Sequence, residues 1–268
     1  MNRLPAEEFF GEDVATRIEE ASLNALQTQS QVFYDGWLLR LSPGSAKRAR
    51  SVSAHFGSTL ALEHKIAYCE RLYARRALPM LFRITPFVRP ADLEKVLIAR
   101  GYVVFDNTLV QVMALDRPPD LPPLPDNVQV RTVDAASFAE IAALLRGSDT
   151  VQRDAHLERL AHSPLESRFV VVEADGERVA TAQLAADDDV AGLFDVITAE
   201  HARGRGYATA AVGRLLVWAW EHAMRIAYLQ VTATNMPAVA IYRRFGFASL
   251  YSYHYCARPH EVEHRMHP

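Results

Sequence analysis

The densest run of residues able to do chemistry is Asp195-Val196-Ile197-Thr198-Ala199-Glu200-His201-Ala202-Arg203-Gly204-Arg205-Gly206-Tyr207-Ala208-Thr209-Ala210, which joins an apolar strand pattern to an apolar helix pattern. Glycine allows backbone to approach a ligand closely, and the first turn of a helix carries N–H groups without intrahelical partners at its positive end. Such a junction can hold a phosphate or pyrophosphate, with Arg203 and Arg205 adding charge. It can equally be a structural turn, because it has neither the lysine of a P-loop nor the third glycine of a dinucleotide fingerprint. Further on, Asn235 stands before Met236-Pro237, and Tyr242 falls on an apolar face with Ala238, Ile241 and Phe245. By pattern alone these are a helix cap and a core aromatic.

The order of the two segments narrows the choice. Arg203, Gly206 and Ala208 occupy the fixed slots of an arginine-x-x-glycine-x-glycine/alanine signature, and Leu229-Gln230-Val231-Thr232-Ala233-Thr234-Asn235-Met236-Pro237-Ala238-Val239-Ala240-Ile241-Tyr242-Arg243-Arg244-Phe245-Gly246-Phe247 follows it. Together they resemble the GNAT superfamily of N-acetyltransferases, over about half of the chain, from near Val128 to the last strand. The resemblance implies an α/β fold with a central mixed sheet flanked by helices, and acetyl-CoA as acyl donor without a metal. It implies that Val196, Ile197 and Thr198 form an edge for the pantetheine amides. Gly204, Arg205, Gly206, Tyr207 and Ala208, continuing into Thr209, would take the pyrophosphate beside Arg203, and Asn235 would bond the pantetheine arm. Tyr242 would protonate the departing thiolate while a neutral primary amine attacks the acetyl carbonyl directly, with a backbone amide near Val196 or Ile197 at the oxyanion.

The proton acceptor is not carried over from the family, whose base varies in position. Asp195 is the first choice, since it would point into the cleft if Phe194 and Val196 point away; a structural carboxylate is the alternative, and Glu173, Glu200 and His201 stand behind it. Asp187-Asp188-Asp189 reads as a hairpin tip rather than a metal site, Lys47-Arg48-Ala49-Arg50 as a loop, and His260, His264 and His267 as an exposed tail with weak metal affinity. An enzyme is the leading reading; a non-catalytic acyl-CoA sensor or regulatory module is its rival.

The elements that must position these residues follow from periodicity. Strands are expected over 128–133, 168–174, 178–186, 192–197, 227–232 and 247–256, and helices over 135–146, 149–162, from Ala208, and from Pro237 to the stop at Gly246. The order is βααβββαβαβ. A weaker echo precedes it: strands near 32–41 and 50–55, a helix carrying Leu62, Ile66, Cys69 and Tyr73, a strand over 80–85, a short helix with Leu93, Val96 and Leu97, the stop Gly101 and a strand over 102–115. Ala99-Arg100-Gly101-Tyr102 parallels Arg244-Phe245-Gly246-Phe247, which suggests internal duplication. A tandem GNAT-like architecture is therefore expected, with a degenerate domain over 1–116, a proline-rich linker over 117–126 and the acetyltransferase domain over 127–268. The loop Ala54-His55-Phe56-Gly57-Ser58-Thr59 lacks the signature, so the first domain should not bind coenzyme A in the same manner. It is a candidate to wall an acceptor pocket through Trp37, Arg40, Arg50, His55 or Arg83, each of which also has a structural reading.

Composition sets the outer bounds. The 268 residues are 50% hydrophobic and 23% charged with a net charge of -3, which fits folded domains and gives no general attraction for nucleic acid or acidic membrane. No apolar run approaches membrane-spanning length and the start is acidic, so a cytoplasmic protein is expected. Cys69 and Cys256 read as buried thiols, without a second ligand at finger spacing. The partners expected are acetyl-CoA and an amine acceptor, small molecule or polypeptide; a homodimer is compatible with this.

Overall fold

The structure, a computed structural model, describes residues 12–26, 28 and 30–263. In chain order its first elements are α1 (Glu12–Asn24), β1 (Gln31–Tyr34), β2 (Trp37–Arg40), β3 (Val52–Ala54), α2 (Leu62–Arg75), β4 (Phe82–Ile84), α3 (Leu93–Ala99) and β5 (Val103–Ala114). After the proline-rich segment come β6 (Val128–Val133), α4 (Ala135–Arg146), α5 (Thr150–Ala161), β7 (Glu166–Ala174), β8 (Glu177–Asp187), β9 (Val190–Thr198), α6 (Tyr207–Glu221), β10 (Ile226–Thr232), α7 (Met236–Phe245), β11 (Ala248–Ala257) and α8 (Pro259–Glu263). The second series reproduces the order expected from periodicity.

The chain forms two compact units, and β5 and β11 contribute residues to both. One unit contains the described N-terminal helix, Val110–Val231 and Asn235–Leu250. Its strands run in the order β5-β10-β9-β8-β7-β6. The β6–β9 meander is antiparallel and β10 lies parallel to β9, as the α6 crossover requires. Local chemistry fixes the helix ends. Asp134 and Asp149 cap α4 and α5 by accepting from the amides of Ser137 and Gln152, both at 2.8 Å, and Gly147 ends α4 in the left-handed conformation. Ala211, Val212, Leu215, Leu216 and Ala219 form the buried face of α6, which packs on β7, β8 and β9.

Sequence periodicity assigned no element to the segment that forms α1. This helix docks on the tip of the β8–β9 hairpin: Arg17 pairs with Asp188 at 3.0 Å and with Asp189, and Asn24 donates to Asp187 at 2.9 Å. The three acids are thus a turn, as expected, and they also anchor a helix.

The other unit comprises Thr28–Leu109, Thr232–Thr234 and the described residues from Tyr251 onward, with strand order β1-β2-β3-β4-β11-β5. Trp37, Ile66, Cys69, Tyr73, Phe82, Leu93, Leu97 and Cys256 belong to its core. The strand expected over 32–41 is a hairpin broken at Asp35-Gly36, both at positive φ. The expected strand from Arg50 is shortened to β3, because Lys47–Arg50 form a 3₁₀ turn and Lys47 pairs with Asp106 at 2.6 Å. The last strand pairs antiparallel with β4, His254 opposite Ile84, so each unit takes a strand from the other half of the sequence. Residue patterns specify that a segment is a strand and which face is buried, but not its neighbour. Gly101 and Gly246, ending α3 and α7, both adopt positive φ, so the paired corners noticed in sequence are alike in conformation.

Gly192 has a steric reason to be glycine. A Cβ there would lie 2.6 Å from the Tyr228 ring and 2.7 Å from Phe194, which meet edge to face inside the sheet layer. Gly192→Ala is expected to destabilise the protein by about 1–3 kcal/mol through overpacking, read as a lower urea midpoint with an unchanged m-value.

Candidate active site

Strand β9 is paired with β10 from Val190↔Ile226 to Leu193↔Leu229 and no further, although β9 continues to Thr198. The two parallel strands therefore part beyond Leu193. On its other side β9 keeps β8: Thr181 faces Ile197 and Ala180 faces Thr198, with an irregularity between Thr181 and Gln183 that leaves an extra residue on β9. At this bulge Asp195 has φ +49, and its carbonyl accepts from Thr181 Oγ1 at 3.2 Å. Val196, Ile197 and Thr198 are half-buried at the opening, with Ile197 packed against the Phe138, Ala142 and Phe169 cluster.

The chain then enters the glycine-led junction. Ala199 N–H donates to Val179 at 2.9 Å, Glu200–Ala202 make one 3₁₀ turn, and α6 begins at Tyr207 with Gly206 as its N-cap. No side chain caps this helix, and Gly204 and Gly206, at φ +78 and +86, have open space where a Cβ would project. Arg203, Gly204, Arg205 and Gly206 are exposed; Tyr207, Ala208 and Thr209 are half-buried. The amides of the first helical turn lack intrahelical partners, so residues 203–209 offer donors to a bound anion.

The matching loop of the other unit is arranged differently. There the Asp35 carboxylate accepts from the amides of Thr59 at 2.9 Å and Leu60 at 3.0 Å, just before α2. Those donors hold Asp35 well below the usual carboxylate range. Lys65 is fully buried, lies 4.0 Å above the Trp37 ring and 3.2 Å from Asp35, and donates to the Asp35 carbonyl at 2.5 Å. Burial pushes its pKa down against the pull of Asp35.

Asn235 caps α7, its Oδ1 accepting from Ala238 N–H at 3.3 Å. The capping reading is therefore correct, and the residue is exposed and close in sequence to the end of β10. Tyr242 is buried and packs edge to face on Phe247, while its hydroxyl has no hydrogen-bond partner among the described residues. Burial pushes its pKa up to about 12, so the phenol keeps its proton at neutral pH.

Asp195 is drawn into an ionic group that sequence spacing did not reveal. Its carboxylate meets Arg146, the last residue of α4, and lies 2.7 Å from His156 Nε2 on α5. Burial alone would raise its pKa; Arg146 and His156 override this and hold it well below the usual range. That environment suits a fixed anion better than a free-standing base. The other acid–base candidates lie elsewhere: Glu173 pairs with Arg131 at 2.9 Å, His201 with Glu177 at 3.1 Å, and Glu200 is exposed. Trp37, Arg40, Arg50, His55 and Arg83 belong to the other unit. There Trp37 is a core residue donating to the Arg89 carbonyl at 3.0 Å, Arg83 lies 3.9 Å from the Tyr253 ring centroid, and Arg40 is buried.

Known proteins resemble this chain in sequence and fold. Residues 138–247 match the Acetyltransferase (GNAT) family model. This segment is a GNAT-family domain. The chain is 26% identical over 258 residues to an uncharacterized N-acetyltransferase, YobR, of Bacillus subtilis (strain 168), covering 91% of this chain and 98% of that protein. A GCN5-related N-acetyltransferase from Kribbella flavida superposes with a TM-score of 0.68 at 19% identity, over 92% of this chain and 96% of its own. A tandem GNAT protein from the clavulanic acid biosynthesis pathway gives a TM-score of 0.57 at 14% identity, over 72% of this chain and 68% of its own. The fold likeness thus extends beyond the matched segment, and the mixed sheet flanked by helices expected from sequence is the one observed. No helix among the described residues is long and apolar enough to cross a membrane.

Within the GNAT domain, Arg146 and His156 are the residues that sequence reading missed. Both sit in helices whose extents were expected, but their junction with Asp195 depends on the β9 bulge. The available signal was a histidine next to Ala155 within the expected helix, and the structure shows it to be buried.

The linkage has a definite sign. A carboxyl whose folded pKa lies below its ordinary 3.8 contributes stability above that value and loses it as pH falls. The difference in urea midpoint between wild type and Asp195→Asn should therefore narrow as pH is lowered from 5 to about 2, measured by denaturation at closely spaced pH.

Proposed function

We propose that the chain is an acetyl-CoA-dependent N-acetyltransferase acting on a primary amine by direct transfer. The observation that carries this reading is the parting of β9 from β10 immediately before an uncapped, glycine-led helix. Backbone groups of Val196 to Thr198 are available to amides of an extended ligand, and amides of Gly204 to Thr209 to its phosphates, with Arg203 and Arg205 supplying charge. Acetyl-CoA has this sequence of groups, a thioester on an amide-containing arm that ends in a pyrophosphate. In this reading Asn235 both caps α7 and meets the arm, and the catalytic unit lies within residues 127–268.

Tyr242 holds the proton that the leaving thiolate needs, and its raised pKa keeps the proton in place until sulfur becomes basic. The N–H of Val196 or Ile197 meets the oxyanion. Asp195, kept anionic by Arg146 and His156, attracts and orients the incoming ammonium. The proton the amine gives up before attack goes to water; Tyr242 then protonates the leaving sulfur to complete free coenzyme A and is restored by the second proton, which the nitrogen of the tetrahedral adduct releases. No covalent enzyme intermediate forms.

Calorimetric titration with acetyl-CoA tests the donor site: micromolar binding is expected, and Gly206→Asp should abolish it by placing a side chain and a negative charge in the amide cradle. Absence of binding to the wild type would overturn the reading, and binding without turnover on any amine would favour a sensor. Tyr242→Phe should leave acetyl-CoA affinity nearly unchanged and lower kcat by about 10²-fold or more. Asp195→Asn separates the two roles of that residue: an electrostatic anchor predicts a raised KM for the amine with a smaller change in kcat, whereas a proton acceptor predicts loss of kcat.

A further inference from the structure

We propose that Glu94, His254 and Cys256 form a binding site for a divalent metal ion of the zinc class. One ligand atom from each residue lies within 4.8 Å of the other two. The set mixes a carboxylate, an imidazole and a thiol, the ligand types that zinc accepts, whereas calcium and magnesium favour oxygen alone. All three belong to one compact unit.

The topology explains both the juxtaposition and its invisibility in sequence. His254 and Cys256 stand two residues apart on β11 and therefore share one face of the strand. Glu94 is in the first turn of α3, and its Oε1 lies 2.9 Å from His254 Nε2. The cysteine's metal-type partner is thus a strand neighbour, and the third ligand is 160 residues away from His254. No finger spacing could announce such a site.

The surroundings are graded in a way that suits a metal. Cys256 is fully buried in the unit's core, whereas the side chains of His254 and Glu94 are 25% and 37% exposed. The sulfur is shielded and the oxygen side opens to solvent, which provides an entry path and a position for water as fourth ligand. In a tetrahedral zinc site, ligand atoms are separated by about 3.3–3.6 Å, so the 2.9 Å contact between Glu94 Oε1 and His254 Nε2 opens slightly while the Cys256 sulfur draws in to close the shell. A divalent cation displaces the Cys256 proton to solvent as the metal–sulfur bond forms, and His254 binds as neutral imidazole. Binding should weaken steeply as pH falls. The resulting clamp would tie β11 to α3.

The test uses the full chain, stripped with a chelator and titrated with Co²⁺ and Zn²⁺. Co²⁺ should produce thiolate-to-metal charge-transfer absorption, which His260, and His264 and His267 outside the described residues, cannot generate, and Zn²⁺ should raise the melting temperature. Glu94→Gln, at a partly exposed position where folding is preserved, should weaken binding at least tenfold, and Cys256→Ser should abolish the charge-transfer band. Co²⁺ binding without that band, or wild-type affinity in Glu94→Gln, would overturn the proposal. If Cys256→Ser does not fold, Cys69→Ser and Glu94→Gln carry the test: the band must survive the first and diminish in the second.

Discussion

The geometry of the GNAT domain depends on the point where β9 stops pairing with β10. A parallel ladder that ends at Leu193↔Leu229 while both strands continue opens an edge inside a sheet. Buried peptide groups require partners, so such an opening is costly unless water or a ligand fills it. The bulge at Asp195 accommodates the parting on the opposite side, where β8 remains attached through Thr181 and Ala180. Because Ala199 is tied back to Val179, the chain leaves the strand at a fixed point and reaches the α6 N-terminus within one short turn. Strand edge and amide cradle are consecutive in sequence, so one backbone course aligns both.

That course is held by side chains with little latitude. A non-glycine residue at positive φ costs on the order of 1–2 kcal/mol, and Asp195 adopts it with three restraints: Arg146 and His156 on its carboxylate, and the Thr181 hydroxyl on its carbonyl. On the strand just before it, Gly192 admits the Tyr228 and Phe194 rings that any side chain would displace. The same ionic group that fixes the bulge keeps Asp195 charged, so the constraint on the fold and the electrostatic character of the cleft have one origin.

These features differ in how far sequence discloses them. The βααβββαβαβ order was legible because the helices carry strong periodicity between polar caps and glycine stops, as at Asp134 and Gly147 or Asn235 and Gly246. The residues around Gly206 were legible because a short contiguous motif contains both the turn and the helix start. The Asp195 ionic group was not, since its members come from three elements and meet only through a bulge that no residue type demands. Strand neighbours were equally hidden: β11 is amphipathic enough to pair anywhere, and its place beside β4 is set by tertiary packing. The hairpin at Asp35-Gly36 could have been found from its turn dipeptide, which lies within an otherwise continuous apolar run.

The two glycine-containing loops that lead into α2 and α6 differ in how their helix ends are satisfied. Before α6 the helix N-terminus has no side-chain cap and open space at both glycines. Before α2 the amides of Thr59 and Leu60 are already satisfied by the Asp35 carboxylate, itself tied to the buried Lys65. A phosphate entering there would have to displace an internal anion held by several donors, and would leave a lysine buried beside Trp37 without its counter-charge. The loop before α2 is thus closed by a side chain of the protein, whereas the loop before α6 is open. With such an internal anion in place, the helix end is satisfied without any bound partner. Tyr34, Tyr68 and Trp37 can then pack as core around α2, and the unit retains its fold through ordinary burial.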